Sequence, residues 1–263
     1  MGVLNVTPDS ISDGGLYLDP PAAIARAWRM AEEGADILDI GGESTRPGSE
    51  PVDVAEELSR VLPVLEGLRD GYPLPVSIDT SRAEVARAAL ERGAAIVNDV
   101  TALRRDPRLC PEVAASGAAL VLMHMRGTPR DMQRLPPCPD ILGEIESWAE
   151  EAIARAQSGG VSSDMLILDP GIGFGKTVRQ NLEILRNLDR LAAAGFPLLI
   201  GTSRKSFIGS VLRDAQAGRS WGTAATVTAS IILGAHIVRV HDVAEMRDVV
   251  RMADAIVDTS IAE

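Results

Sequence analysis

The sequence predicts an α/β fold, a single (β/α)8 barrel of parallel strands spanning residues 1–263. Three observations carry this. Short apolar runs stop on a polar residue or glycine and recur along the chain. Segments of helical periodicity separate them. The length of 263 residues matches the roughly 250 typical of such a barrel. Strand–helix alternation at short intervals means a parallel sheet, and eight repeats imply closure.

The elements follow in order. Residues 2–6 read as the first strand, followed by a long polar loop. Pro20 near a first helical position and Gly34 at the far end bracket a helix over 20–33. Residues 36–40 form the second strand, and another long loop leads to a helix over 53–69 with an acidic first turn. Strands at 76–79 and 96–98 precede helices at 82–92, which ends at Gly93, and 107–116, which ends at Gly117. The fifth strand, 120–123, opens a third long loop and a helix at 141–157. The run M-L-I-L-D-P-G-I-G-F-G-K-T holds the sixth strand, 165–168, which stops on Asp169. A helix over 178–194, a strand at 198–200, a helix starting near Ser203 and another over 221–233 follow. A strand at 237–240 and a helix at 243–257 close the chain. The long loops follow strands one, two and five, and all open at the carboxyl ends, where barrel sites are built.

Composition narrows the class. A net charge of −11 argues against nonspecific nucleic-acid binding. No apolar run reaches the ~18 residues a membrane helix needs. Cys110 and Cys138 are too few for a disulfide framework, and no signal segment is visible, so the cytoplasm is the expected compartment. Of 26 basic residues 24 are arginine; the two lysines, Lys176 and Lys205, both sit in glycine-rich motifs at predicted strand ends. That placement suggests a need for a compact ammonium there.

The polar residues at the strand ends have an inventory suited to a ligand site. Asp169 can accept two N–H bonds side by side. Asn98 can donate and accept. Asp79 precedes T-S-R, so helix capping is a rival reading for it. Arg239 and His241 alternate on one strand and share a face, which suits an anion. His236 reads as structural. Lys176 in G-F-G-K-T falls one residue short of the phosphate-loop spacing, so that reading is set aside.

These motifs, in order over the whole chain, resemble those of dihydropteroate synthases. They are N-V-T-P-D-S-I-S-D-G-G from Asn5, G-G-E-S-T-R-P-G, S-I-D-T, N-D-V, M-H-M-R-G-T-P, L-D-P-G-I-G-F-G-K-T, G-T-S-R-K-S and R-V-H-D. The resemblance implies an enzyme that joins 6-hydroxymethyl-7,8-dihydropterin diphosphate to p-aminobenzoate, makes 7,8-dihydropteroate for folate synthesis and is a sulfonamide target. It implies a pterin site of Asp79, Asn98, Met123, Asp169, Lys205 and Arg239. It implies a diphosphate and loop set of Thr45, Arg46, Arg239 and His241. It implies p-aminobenzoate contacts at Pro47, Phe174 and Ser206, and Asn5 as ligand to a Mg2+ that arrives with the diphosphate. Asp79, Lys205, Arg239 and His241 would carry the catalysis, and a homodimer through the last helices is expected. Ile11 stands where that family usually has Phe, Gln180 where it often has His, and the chain starts at the first strand without the usual N-terminal arm. Two rival expectations are a methyltetrahydrofolate-binding methyltransferase barrel, and a pterin-binding paralogue without turnover.

Overall fold

The computed structural model describes residues 1–7, 19–46, 48–213 and 219–262. The strands are β1 (Gly2–Asn5), β2 (Leu38–Gly41), β3 (Val76–Asp79), β4 (Ile96–Asp99), β5 (Ala119–Met123), β6 (Leu166–Asp169), β7 (Leu199–Ile200) and β8 (Ile237–Val238). The first six pair in sequence order, all parallel, and β7 pairs with β8. One parallel bridge joins Leu168 to Leu198 and another joins Gly2 to Val240. The ring of eight strands therefore closes, as the alternation predicts.

Helices cover the outside: α1 (Pro20–Glu32), α2 (Val54–Leu68), α3 (Ala83–Leu90), α4 (Leu109–Ser116), α5 (Ile141–Ser158), α6 (Val178–Arg186), α7 (Leu188–Ala192), α8 (Ser206–Leu212), α9 (Ser220–Ile232) and α10 (Val243–Val257). Local chemistry fixes several starts. Asp53 accepts from the Glu56 amide at 2.8 Å, and Asp140 from the Gly143 amide at 3.0 Å. Thr177 and Gln180 form a reciprocal capping box at the start of α6. The single helix expected over 178–194 is instead two. Asn187 leaves the helical region and its side-chain amide bonds the Glu183 carbonyl at 2.7 Å, a local competitor to the backbone ladder.

Strand alternation sorts the side chains into two populations. Leu4, Leu38, Ile40, Ile78, Val97, Leu120, Leu122, Leu166, Leu168 and Ile200 belong to the large core packed with the helices. Met1, Ile96, Val121, Ile167 and Leu199 form a separate cluster inside the ring. The inward positions nearer the carboxyl ends, on the same alternation, are Asn5, Asp39, Asp79, Asn98, Met123, Asp169, Arg239 and His241. A polar layer thus lies above an apolar floor. No helix among the described residues is long and apolar enough to cross a membrane.

Candidate active site

The polar layer is tied together across the barrel. From the β8 side, the Arg239 Nη2 donates to Asp79 Oδ2 at 2.9 Å, and its Nε donates to Asp39 Oδ2 at 2.7 Å. Asn98 Nδ2 donates to the same Asp39 oxygen at 3.3 Å. Strands two, three and eight so converge on one guanidinium, and strand four joins through Asp39. The Asp79 carboxyl is pushed up to about 8, first by burial and further by Asp39, Glu57 and Asp99, against the pull of Arg239. One guanidinium between two buried carboxylates does not neutralise both. Burial also lowers Arg239, but Asp39 and Asp79 outweigh it and hold the guanidinium above its usual range.

The other half of the layer is a carboxylate–ammonium pair. Asp169, at the end of β6, is buried, which raises its carboxyl against the pull of Lys205. Its Oδ1 takes the Gly171 amide at 2.7 Å. Lys205 precedes α8; burial lowers its ammonium to about 8, opposed by Asp169. Its Nζ donates to the Ile172 carbonyl and lies 4.7 Å from the centroid of the Phe174 ring.

The glycine-rich turn after β6 is shaped by close backbone approach. Gly171 has φ +68°, and a Cβ there would meet the His124 carbonyl oxygen at 1.9 Å. Lys176 fills the turn instead of binding phosphate. Its buried Nζ donates to the carbonyls of His124 at 3.1 Å, Gly171 at 2.8 Å and Phe174 at 3.1 Å. The compact ammonium is needed here, as the rarity of lysine suggests, but for the loop's own backbone.

At the rim, His241 Nδ1 lies 3.0 Å from Ser203 Oγ, and burial lowers the imidazole to about 3, helped by Arg239, Arg204 and Arg46. The ring is therefore neutral at pH 7. Thr45 and Arg46 are half-buried in the loop after β2. That loop leans on the loop after β5 through Gly48 N to Pro129 O at 3.0 Å. Between them opens a cavity of about 540 Å3, with Thr45, Asp79, Thr101, Met125 and Pro129 on its wall. Asn98, Asp169, Lys205 and Arg239 lie outside that wall, further round the ring.

Asp79, Asn98, Asp169, Lys205 and Arg239 are thus brought into one interior layer. Met123 is buried at its edge with Val100, Met125 and Met132, against which Phe174 packs. Ser206 is exposed at the start of α8, next to Lys205. Asn5 ends β1, its Oδ1 3.5 Å from where a Cβ on Gly41 would stand. Pro47 and Ile11 lie outside the described residues. The capping rival for Asp79 fails: α3 begins beyond it, and Ala83 N bonds Asp106 at 3.0 Å. His236 Nδ1 accepts from Leu198 N at 3.2 Å, the structural role expected of it. Sequence reasoning missed Asp39. Its signal was a carboxylate interrupting the apolar run of β2 on the inward face.

The fold and this layer define a pterin-binding barrel, and the chain belongs to the pterin binding enzyme family, whose model matches residues 1–241. Within that family its relatives include dihydropteroate synthases. The one from Synechocystis sp. is 48% identical over 257 residues, 97% of this chain and 89% of the relative. The solved dihydropteroate synthase of Yersinia pestis, in a sulfonamide drug complex, superposes with a TM-score of 0.94 at 40% identity, covering 97% of this chain and 93% of that one. The Xanthomonas albilineans dihydropteroate synthase with 4-aminobenzoic acid gives 0.88 at 44% identity, covering 97% and 92%.

Proposed function

We propose that this site runs the dihydropteroate synthase reaction, with the roles carried by the residues below. 6-Hydroxymethyl-7,8-dihydropterin diphosphate and p-aminobenzoate are joined to 7,8-dihydropteroate with release of diphosphate, a transferase step of folate biosynthesis. The observation that carries the reading is the convergence of Asp79, Asn98, Asp169, Lys205 and Arg239 on one layer at the carboxyl ends of five strands. A flat ring with mixed donors and acceptors suits that layer. Asp169 accepts the amino-pyrimidine N–H groups. Lys205 donates to the carbonyl oxygen and a ring nitrogen. Asn98 and Asp79 take the remaining edge, and Met123 packs against the ring.

The pterin C–O bond breaks first, and its electron pair leaves with the diphosphate. Arg239 and neutral His241 donate to the leaving oxygens, with Thr45 and Arg46 closing from the rim. The methylene left behind is cation-like. An ionised Asp79 lowers the cost of that charge, and the charge in turn favours ionisation of Asp79. The aniline nitrogen attacks the methylene and loses a proton. The p-aminobenzoate ring packs on Phe174, with its carboxylate at Ser206; Pro47, the other ring contact the resemblance implies, lies outside the described residues.

Among the described residues no group of three or more His, Cys, Asp or Glu is arranged to hold a metal. Asn5 supplies one amide oxygen at the barrel mouth. That donor set fits Mg2+, which keeps several waters and would enter already bound to the diphosphate. When bound, the ion neutralises charge on the leaving group. We read residues 1–263 as one domain in a cytoplasmic homodimer, with exposed Trp221, Met252, Ile256 and Val257 of α9 and α10 on the shared face. Diphosphate release with both substrates, with and without Mg2+, tests the function; no release when both substrates and Mg2+ are present refutes it.

A further inference from the structure

Asp39 has no part in the reading above, yet it sits beneath the whole layer. It is fully buried in β2, between Leu38 and Ile40. Its Oδ2 takes Arg239 Nε at 2.7 Å, Arg239 Nη2 at 2.6 Å and Asn98 Nδ2 at 3.3 Å. Its Oδ1 has no hydrogen-bond partner. Folding does not account for such a group. An unsatisfied buried acceptor costs about 1–3 kcal/mol. A buried ion pair is often no more stable than a well-packed apolar replacement, and the strand already carries apolar neighbours.

What Asp39 does is geometric. Asp79 alone would hold the guanidinium by one corner, Nη2, and leave it free to turn. Asp39 adds a second attachment through Nε, which fixes the guanidinium plane. Nη1 is then the corner that bonds neither carboxylate. The same Asp39 oxygen draws the Asn98 amide nitrogen inward, so the Asn98 carbonyl oxygen turns away from it as an acceptor.

We propose that Asp39 is a positioning residue for pterin binding: from below, without touching substrate, it sets the plane of Arg239 and the amide orientation of Asn98. The proposal rests on the pterin reading above. It also makes Asp39 a competitor of Asp79 for one guanidinium. The charged groups facing Asp79 are Asp39 from β2, Glu57 from α2, Asp99 from β4 and Arg239 from β8. Neutralising Asp39 removes one like charge and leaves Arg239 to Asp79.

The test is Asp39→Asn in the full-length protein, titrated by calorimetry with 6-hydroxymethyl-7,8-dihydropterin diphosphate from pH 6 to 9. Pterin Kd rises at least tenfold, KM for p-aminobenzoate stays within twofold, and the pH midpoint of pterin binding falls by a unit or more. A merely structural residue would lower the melting temperature without moving that midpoint. A folded variant with wild-type Kd and midpoint overturns the proposal. A second measurement needs no Asp39 variant: the Arg239 Nε–H resonance of the ligand-free wild type, assigned by its loss in folded Arg239→Lys. Slow exchange with water supports the Asp39 clamp, and exchange as fast as an exposed arginine overturns it. A wild-type protein that binds no pterin diphosphate refutes the pterin reading, a result distinct from a variant that binds like the wild type.

Discussion

Asp79→Asn should make the protein progressively more stable than wild type as pH rises. The reason lies in where the proton sits. An unfolded Asp ionises near 3.9, whereas burial and three neighbouring carboxylates push the folded Asp79 up to about 8. Between those values the folded state binds more protons than the unfolded one, so this group's contribution falls as pH rises and levels off above 8. Asparagine does not titrate. The stability gap, variant minus wild type, therefore grows with pH, by at most tenfold in the folding constant per unit. From pH 5.5 to 8 that amounts to on the order of 3 kcal/mol. Loss of the charge-assisted bond from Arg239, 2.9 Å in the wild type, adds an offset that does not change over this range. Other buried groups, including His241 and Lys176, titrate in both proteins and cancel in the difference. Urea unfolding of both ligand-free proteins at four pH values reads the gap directly. A gap that stays constant from pH 5.5 to 8 would mean Asp79 is ionised throughout, and would sink the picture of two carboxylates sharing one guanidinium.

Lys205→Ala removes a charged donor from the ring site, and pterin affinity should drop ten- to a hundredfold, about 1.5–3 kcal/mol by calorimetry; an unchanged affinity would remove Lys205 from the site. Gly201→Ala probes the same space without removing a functional group. Gly201 is not in the left-handed region, and a Cβ there would lie 3.8 Å from both Arg239 Cβ and Lys205 Nζ. The melting temperature should hold or rise slightly, while pterin Kd rises tenfold or more; equal Kd values would show that no ligand lies over the end of β7. Lys176→Met should cost on the order of 3–5 kcal/mol in urea unfolding, because three carbonyls at 2.8–3.1 Å lose their donor. A loss below about 1 kcal/mol would mean water replaces the ammonium.

The ring of eight strands was legible because its signal is local. Each apolar run ends where its strand ends, and alternation alone put Arg239 and His241 on one face. The same rule placed Asp79, Asn98 and Asp169 at the carboxyl ends. Partnerships across the barrel were not legible. Arg239 and Asp39 are 200 positions apart, and nothing near either residue names the other. Asp39 looked like a polar interruption in I-L-D-I, since a strand four residues long gives alternation too few positions to separate an inward carboxylate from noise. The role of Lys176 was hidden for a different reason. Its partners are backbone carbonyls, gathered only because Gly171 takes a left-handed turn against His124. The break at Asn187 escaped likewise, because a side-chain amide that competes with the helix ladder looks in sequence like any polar surface position.

The division between legible and hidden follows the two layers inside the ring. The apolar floor of Ile96, Val121, Ile167 and Leu199 needs only shape and hydrophobicity, which sequence pattern carries. The polar layer above it is under-supplied with cations: Asp39, Asp79 and Asp169 face Arg239 and Lys205, all of them buried or half-buried. Such a layer loses stability by its own balance, which adds to burial in raising Asp79, while burial brings the Lys205 ammonium down against the pull of Asp169. A ligand that brings N–H donors to the carboxylates relieves that shortage. Neutral apolar ligands do not, so the charge arrangement itself selects a donor-rich ring.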